Sequence, residues 1–239
     1  MLKAYVNQLV EGKDLSRTEA EEAMQVILQG NASEAQMAAF LTALKIKGEA
    51  VSEIAGFANA LLAQADRVEH RRPVICNCGT GGDTKNTFNV STAVSFVLAG
   101  AGLSVAKHGN RSVSSSCGSA DVLAALGVNI EQSADGVSRE IEEIGLGFLF
   151  APMLNKAMRY VAKTRKELGF RTVFNLLGPI INPARLDYQL VGVYDPALTE
   201  KVAGVLKEIG IKQAMVISSL DGMDEISTHE KTKVSELRG

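Results

Sequence analysis

No charge of either sign dominates this chain. Its 25 basic and 27 acidic residues leave a net charge of −2, so no basic surface argues for nucleic acid and no acidic tail argues for disorder. No apolar run reaches the roughly 18 residues that a membrane span requires. The opening residues Met1-Leu2-Lys3-Ala4-Tyr5 lack the apolar stretch of a secretory signal, and a soluble cytoplasmic protein is expected. Cysteine is scarce: Cys76, Cys78 and Cys117 cannot all pair with one another. Cys76-Asn77-Cys78 has no second Cys or His cluster to complete a zinc site, so the thiols read as small buried side chains in a reducing compartment. There is no internal repeat, no low-complexity segment, and no Ser/His/Asp or Cys/His arrangement. What is present is 46% apolar residues, enough for a substantial core in one large domain or two small ones.

Residues 2 to about 66 read as helical. Ser16-Arg17-Thr18-Glu19 and Ser33-Glu34-Ala35-Gln36 are capping boxes, each leading apolar residues at helical spacing. Gly30-Asn31 and Gly48 end those helices, and Ser52 is expected to cap a third. From Arg71-Arg72-Pro73 the pattern changes. Short apolar strands are expected at Val74–Cys76, Leu103–Ala106, Val128–Ile130, Phe148–Phe150, Tyr188–Tyr194 and Met215–Ile217. Helices are expected at 90–101, 119–126, 133–144, 155–168 and 196–209. Residues 175–183, with Pro179 and Pro183, read as an irregular connection. Strand–helix alternation implies a mostly parallel sheet covered on both faces. The expected organisation is α/β: a helical domain over 1–70, with 153–185 packing back on it, and an α/β domain over 71–152 and 186–239.

Three constellations carry chemistry. Cys78-Gly79-Thr80-Gly81-Gly82-Asp83 leads through Thr87-Phe88-Asn89-Val90-Ser91-Thr92 as strand, glycine turn and helix start. Glycines let backbone N–H groups approach an anion, and the helix dipole favours negative charge at the same place. Phosphate binding and a merely structural turn both fit this loop alone. Lys107-His108-Gly109-Asn110-Arg111-Ser112-Val113-Ser114-Ser115 and Ser119 follow another strand with a donor density that a solvated turn does not need. Together the two loops read as two edges of one phosphate pocket. Asp224-Glu225, just past a strand end, reads as a site for a hard divalent cation or as an acidic pair at a helix N-terminus. Arg165 is either a solvated helix residue or a clamp for a carboxylate. His108 is either a general base or a satisfied loop histidine.

These segments resemble the anthranilate phosphoribosyltransferase family, in order and across essentially the whole chain. The motifs are Gly79-Thr80-Gly81-Gly82-Asp83, Asn89-Val90-Ser91-Thr92, Lys107-His108-Gly109-Asn110-Arg111, Gly118-Ser119-Ala120-Asp121, Arg171 through Pro179, and Asp224-Glu225. The resemblance implies a small helical domain plus an α/β domain resembling the nucleoside phosphorylases and phosphoribosyltransferases, assembled as a homodimer through the helical domain. It implies phosphoribosyl pyrophosphate on Gly79, Gly82, Asp83, Thr87, Asn89 to Thr92, Lys107 to Ser115 and Ser119. It implies anthranilate on Gly79, Asn110 and Arg165, and Mg²⁺ on Ser91, Asp224 and Glu225. No residue is expected to act as a covalent or acid–base catalyst, with Lys107 and Arg165 the most influential through charge and positioning. Asn155 replaces a common histidine and Lys163 a common proline, both near the implied anthranilate entrance. Family members continue past Gly239, so the resemblance also implies a truncated chain with a sheet incomplete at its C-terminal end.

The expected reaction is transfer of the phosphoribosyl group to the amine of anthranilate in tryptophan biosynthesis. Two other readings stand beside it: a pyrimidine nucleoside phosphorylase-like enzyme, and a truncated chain that binds phosphoribosyl pyrophosphate without turnover.

Overall fold

The computed structural model describes residues 2–83, 85, 87–112 and 117–239. In chain order, α1 (Leu2–Val10), α2 (Arg17–Leu28), α3 (Glu34–Lys47) and α4 (Val51–Gln64) precede β1 (Val74–Gly79), α5 (Val90–Gly100) and β2 (Ser104–Gly109). Next come α6 (Ser119–Ala125), α7 (Ala134–Ile144), β3 (Leu146–Phe150), a short α8 (Ala151–Leu154) and a 3-10 turn at Lys156–Met158. Then follow α9 (Arg159–Leu168), α10 (Phe174–Ile180), β4 (Tyr188–Gly192), α11 (Leu198–Glu208), β5 (Gln213–Ser219) and β6 (Thr232–Leu237). The chain divides into two compact units, Met1–Ala65 with Asn155–Ile181, and Asp66–Leu154 with Asn182–Gly239.

The first unit is all helical. Both capping boxes form: Glu19 N–H donates to Ser16 Oγ and Gln36 N–H to Ser33 Oγ, with the Glu19 and Gln36 side chains reaching back. Each such cap is worth about 1 kcal/mol. The expected cap at Ser52 is not one. Ala50 holds the N-cap position of α4, and Ser52 Oγ instead donates to Leu15 O at 3.2 Å. Glu53 takes over: its buried carboxylate accepts from Ala50 N–H and Leu15 N–H and pairs with Lys47 at 3.0 Å. The core centres on Phe40 and Phe57, edge to face with centroids 5.8 Å apart. Residues 175–179, expected to be irregular, lie in helix α10. Pro179 sits in its last turn, where a missing N–H removes only a terminal helix bond.

The second unit carries a six-stranded sheet in the order β3-β2-β1-β4-β5-β6, parallel except for β6, which runs antiparallel to β5. Apolar residues of β1 to β3 pack with Val137 and Ile141 of α7 on one face. Ala120 and Leu123 of α6 cover Phe148 and Phe150. The strand expected at Val128–Ile130 does not form. Val128 N–H is already taken by Leu123 O at 3.0 Å, across the left-handed Gly127 that terminates α6, so it is not available to a ladder. Only Ile130 of the three is buried. Strand order reverses between β1 and β4, so a crevice opens outside their carboxyl ends. Gly79 and Gly192 face each other there in register.

Candidate active site

The site is built at that crevice. A Cβ on Gly192 would collide with the backbone carbonyl of Asp224, and one on Gly79 with the Asp224 carboxylate. Two glycines on neighbouring strands therefore admit the 220–226 loop to the sheet edge. Beyond β1 the chain turns through Gly81 and Gly82, both in the left-handed region with φ of 67° and 78°. Gly81 N–H donates to Asp224 Oδ2 at 2.7 Å. At the start of α5, Ser91 N–H and Ser91 Oγ both donate to Glu225 Oε1, at 3.2 and 2.7 Å. Asp83 accepts from Lys85 N–H at 3.2 Å. The two carboxylates thus grip the glycine loop and the helix N-terminus at once. Glu225 lies at the N-terminus of α5, accepting from its Ser91 N–H.

Burial, with a contribution from the Asp224 charge, raises the Glu225 carboxyl above the usual glutamate range. The Lys107 charge acts on the same carboxyl in the opposite direction. The donor set, two carboxylates and the Ser91 hydroxyl, is all hard oxygen and fits a divalent cation that keeps further positions for water or phosphate. Among the described residues no three His, Cys, Asp or Glu side chains gather into a closed metal cage.

Lys107 lies on β2, is 3% exposed, and donates Nζ to Asn77 O at 2.9 Å. His108 is buried beside it on the same strand. The second loop folds about Asp121. One carboxylate oxygen accepts from Ser112 N–H and Gly118 N–H, both at 2.9 Å, and the other accepts from Arg111 at 3.2 Å. These backbone donors hold the Asp121 carboxyl below the usual aspartate range. Ala120 N–H and Ser119 Oγ both donate to Asn110 O, and Arg111 lies over the Phe150 ring at 5.7 Å. Asn89 Nδ2 donates to Cys117 O at 3.2 Å, tying the first loop to the second. Thr87 is exposed, Val90 half-buried and Thr92 buried on the first α5 turn. Val113, Ser114 and Ser115 lie outside the described residues.

Asn77 is a functional candidate that sequence reasoning passed over. Its carbonyl holds Lys107, its Nδ2 donates to Ser91 O at 2.7 Å, and its Oδ1 accepts from Ser95 Oγ at 2.7 Å. A buried asparagine in an otherwise apolar strand was the available signal. Asp121 was quoted within a motif but given no role.

Arg165 belongs to the helical unit. Its guanidinium stacks on Phe174 at 5.0 Å, burial lowers its pKa, and no anion pairs with it among the described residues. In the same unit Lys163 binds Glu34 at 2.6 Å. Asn155 is buried there with neither amide atom partnered among the described residues.

A helical bundle and a mostly parallel sheet with a glycine-lined loop at its switch point define a class: the glycosyl transferases of this two-domain architecture. The family described as "Glycosyl transferase family, helical bundle domain" matches residues 3–65, and "Glycosyl transferase family, a/b domain" matches residues 71–239. The anthranilate phosphoribosyltransferase of Symbiobacterium thermophilum is 52% identical over 99% of this chain and 70% of its own length. That of Acetivibrio thermocellus is 54% identical over 100% and 69%. The crystal structure of the Thermus thermophilus enzyme aligns with a TM-score of 0.91 at 41% identity, covering 98% of this chain and 72% of that one. The Saccharomyces cerevisiae enzyme in complex with phosphoribosyl pyrophosphate and Mg aligns at 0.90 and 30% identity, covering 99% and 72%. The chain belongs to the anthranilate phosphoribosyltransferase family.

Proposed function

We propose that this protein transfers the phosphoribosyl group of phosphoribosyl pyrophosphate to the amine of anthranilate, releasing pyrophosphate and giving N-(5-phosphoribosyl)anthranilate for tryptophan biosynthesis. The observation that carries the reading is the double grip of Asp224 and Glu225 on Gly81 and Ser91 at the switch-point crevice. It ties a phosphate-type loop, a helix N-terminus and a cation site into one unit.

In the reaction the C1–O bond of the ribose breaks and its electron pair leaves with the diphosphate. C1 gains oxocarbenium character, the aniline lone pair forms the new C–N bond, and the nitrogen then sheds a proton. The glycine-loop N–H groups, the α5 N-terminus and the buried charge of Lys107 act on the departing negative charge, and donors fixed in place before the reaction need no reorganisation when that charge develops. Ser91, Asp224 and Glu225 would hold Mg²⁺, which when bound neutralises diphosphate oxygens. Anthranilate is already a good nucleophile, so orientation supplies much of the remaining rate. A half-buried Arg165, stacked on Phe174 and with no anion paired to it among the described residues, suits the anthranilate carboxylate. The reading includes a cytoplasmic homodimer joined through the helical unit, supported by the exposed apolar Val10 and Ile46.

The test is loss of anthranilate fluorescence with phosphoribosyl pyrophosphate and Mg²⁺. Turnover is expected, and Arg165→Ala is expected to raise the anthranilate KM by one to two decades, corresponding to a bidentate pair worth about 2 kcal/mol. An unchanged KM removes Arg165 from the site. Phosphate-dependent release of a pyrimidine from a nucleoside, without anthranilate consumption, overturns the function.

A further inference from the structure

We propose that Cys76 and Cys78 form a reversible disulfide that switches off the ligand loop built around β1. The two residues alternate along β1, so their side chains project from one face of the strand. Their sulfurs lie 3.5 Å apart, and the residues are 0% and 8% exposed. Residues two apart on a strand have Cα atoms separated by roughly 6.6 Å, at the long end of what a disulfide tolerates. Closing the bridge therefore requires β1 to pucker. β1 is a central strand, with Cys76 opposite Gln189 and Cys78 opposite Val191 on β4, and its ladder resists that pucker. Such a strained bridge is easily reduced, which is the behaviour of a switch and not of a staple.

The residue caught inside the ring is Asn77. Its carbonyl holds Lys107, and its amide holds Ser91 and Ser95. Drawing Cys76 toward Cys78 tilts the Asn77 peptide and disturbs both Lys107 and the α5 N-terminus together. The local chemistry also suits exchange. The hydrogen bond shared with Cys78 lowers the Cys76 pKa, with help from the Lys107 charge and the His108 backbone N–H. The same hydrogen bond and burial push Cys78 up. Two sulfurs sharing one hydrogen bond are placed for one to attack the other once either is oxidised.

The oxidant class is a peroxide. The Cys76 thiolate attacks one peroxide oxygen and the O–O bond breaks, giving a sulfenic acid and hydroxide. The Cys78 thiol then displaces the sulfenic oxygen, which leaves as water with the Cys78 proton, and the hydroxide takes up the proton that Cys76 released on ionising. Overall two thiols lose two electrons and two protons, and hydrogen peroxide becomes two waters.

The chemical step stands on the two sulfurs; its effect on turnover rests on the function proposed above. The full chain is treated with hydrogen peroxide, alkylated in acid and cleaved with trypsin. The peptide spanning residues 72–85 holds both thiols, while Cys117 falls in the 112–139 peptide. The expected result is a 72–85 peptide lighter by two hydrogens and closed to alkylation. Turnover should fall at least tenfold, and dithiothreitol should reverse both changes. A Cys78→Ser chain should keep its own untreated turnover under the same treatment. A 72–85 peptide that retains two alkylatable thiols overturns the proposal, as does a bridged chain with full turnover or a Cys78→Ser chain inactivated equally. The peptide mass needs neither a variant nor turnover. An untreated chain that makes no product therefore sinks the proposed function alone, and the bridge is then judged on mass and on a reversible fall in melting temperature.

Discussion

The two donor-rich loops at the head of the sheet are held by opposite means. The loop after β1 is fastened from far along the chain, by Asp224 and Glu225 across sequence separations of 143 and 134 residues. The loop after β2 is fastened from within, by Asp121, nine residues from Ser112 and three from Gly118. A carboxylate that shapes a loop and also binds a cation couples loop order to ligand binding. A carboxylate that only closes a turn does not. The first loop therefore takes its shape from the groups proposed to hold Mg²⁺, whereas the second presents its donors whether or not ligand is there.

Asp224→Ala breaks the comparison most severely. It strips Gly81 N–H of its acceptor and removes one proposed cation ligand in the same change. A drop in kcat/KM of about a thousandfold is expected, about 4 kcal/mol of transition-state binding. If steady-state kinetics at saturating Mg²⁺ show less than a tenfold loss, the first loop does not depend on its distant carboxylates. Lys107→Met keeps the buried volume of the stem and removes the charge on Asn77 O. Here kcat should fall about a hundredfold, about 2.7 kcal/mol, with an unchanged anthranilate KM. An unaffected kcat would leave Lys107 as a structural buried cation. Ser91→Ala removes only the hydroxyl donor to Glu225, since its backbone N–H remains. The Mg²⁺ concentration for half-maximal rate should rise about tenfold, about 1.4 kcal/mol. A titration curve that superposes on the wild type's would detach Ser91 from the cation.

How legible each loop was in the sequence follows the same division. Local devices could be read directly. Ser16 and Ser33 announce their capping boxes because donor and acceptor lie three residues apart, and Ser133 likewise accepts from Gly136 N–H. The glycine loop and the order of motifs were legible because each motif is contiguous. What was not legible depends on contacts closed in space. Glu53 caps α4 from inside the helix while also serving Leu15, so the nearer Ser52 drew the assignment. Gly192 looks like an ordinary strand glycine until the Asp224 carbonyl is laid against it. Val128–Ile130 has a strand's composition, but a helix terminus claims its first N–H. β6 carries Thr232, Lys233, Ser235 and Glu236 with alternation too weak to separate it from a loop. Asn77 interrupts an apolar run and reads as punctuation, although it joins three elements of the site.

Asp121→Asn sharpens the comparison from the other side and should have the smallest effect. The amide oxygen can accept both backbone N–H groups now shared by a single carboxylate oxygen, but its NH₂ faces the remaining donor, Arg111. The second loop should loosen while the first, held by Asp224 and Glu225, keeps its order. The KM for phosphoribosyl pyrophosphate is expected to rise less than tenfold, with the Mg²⁺ requirement unchanged. The pH dependence separates this from a general loss of charge. The Asp121 carboxyl is depressed by its backbone donors, so its contribution is present above the unfolded value near 3.9. That contribution is lost only as pH falls through the still lower folded value. Between pH 5 and 7 the wild-type residue stays ionised, and the ratio of variant to wild-type KM should be flat. A ratio that shrinks toward pH 5 would mean that the wild-type carboxylate is already protonating there, and that the backbone donors of the second loop do not hold it as the geometry requires.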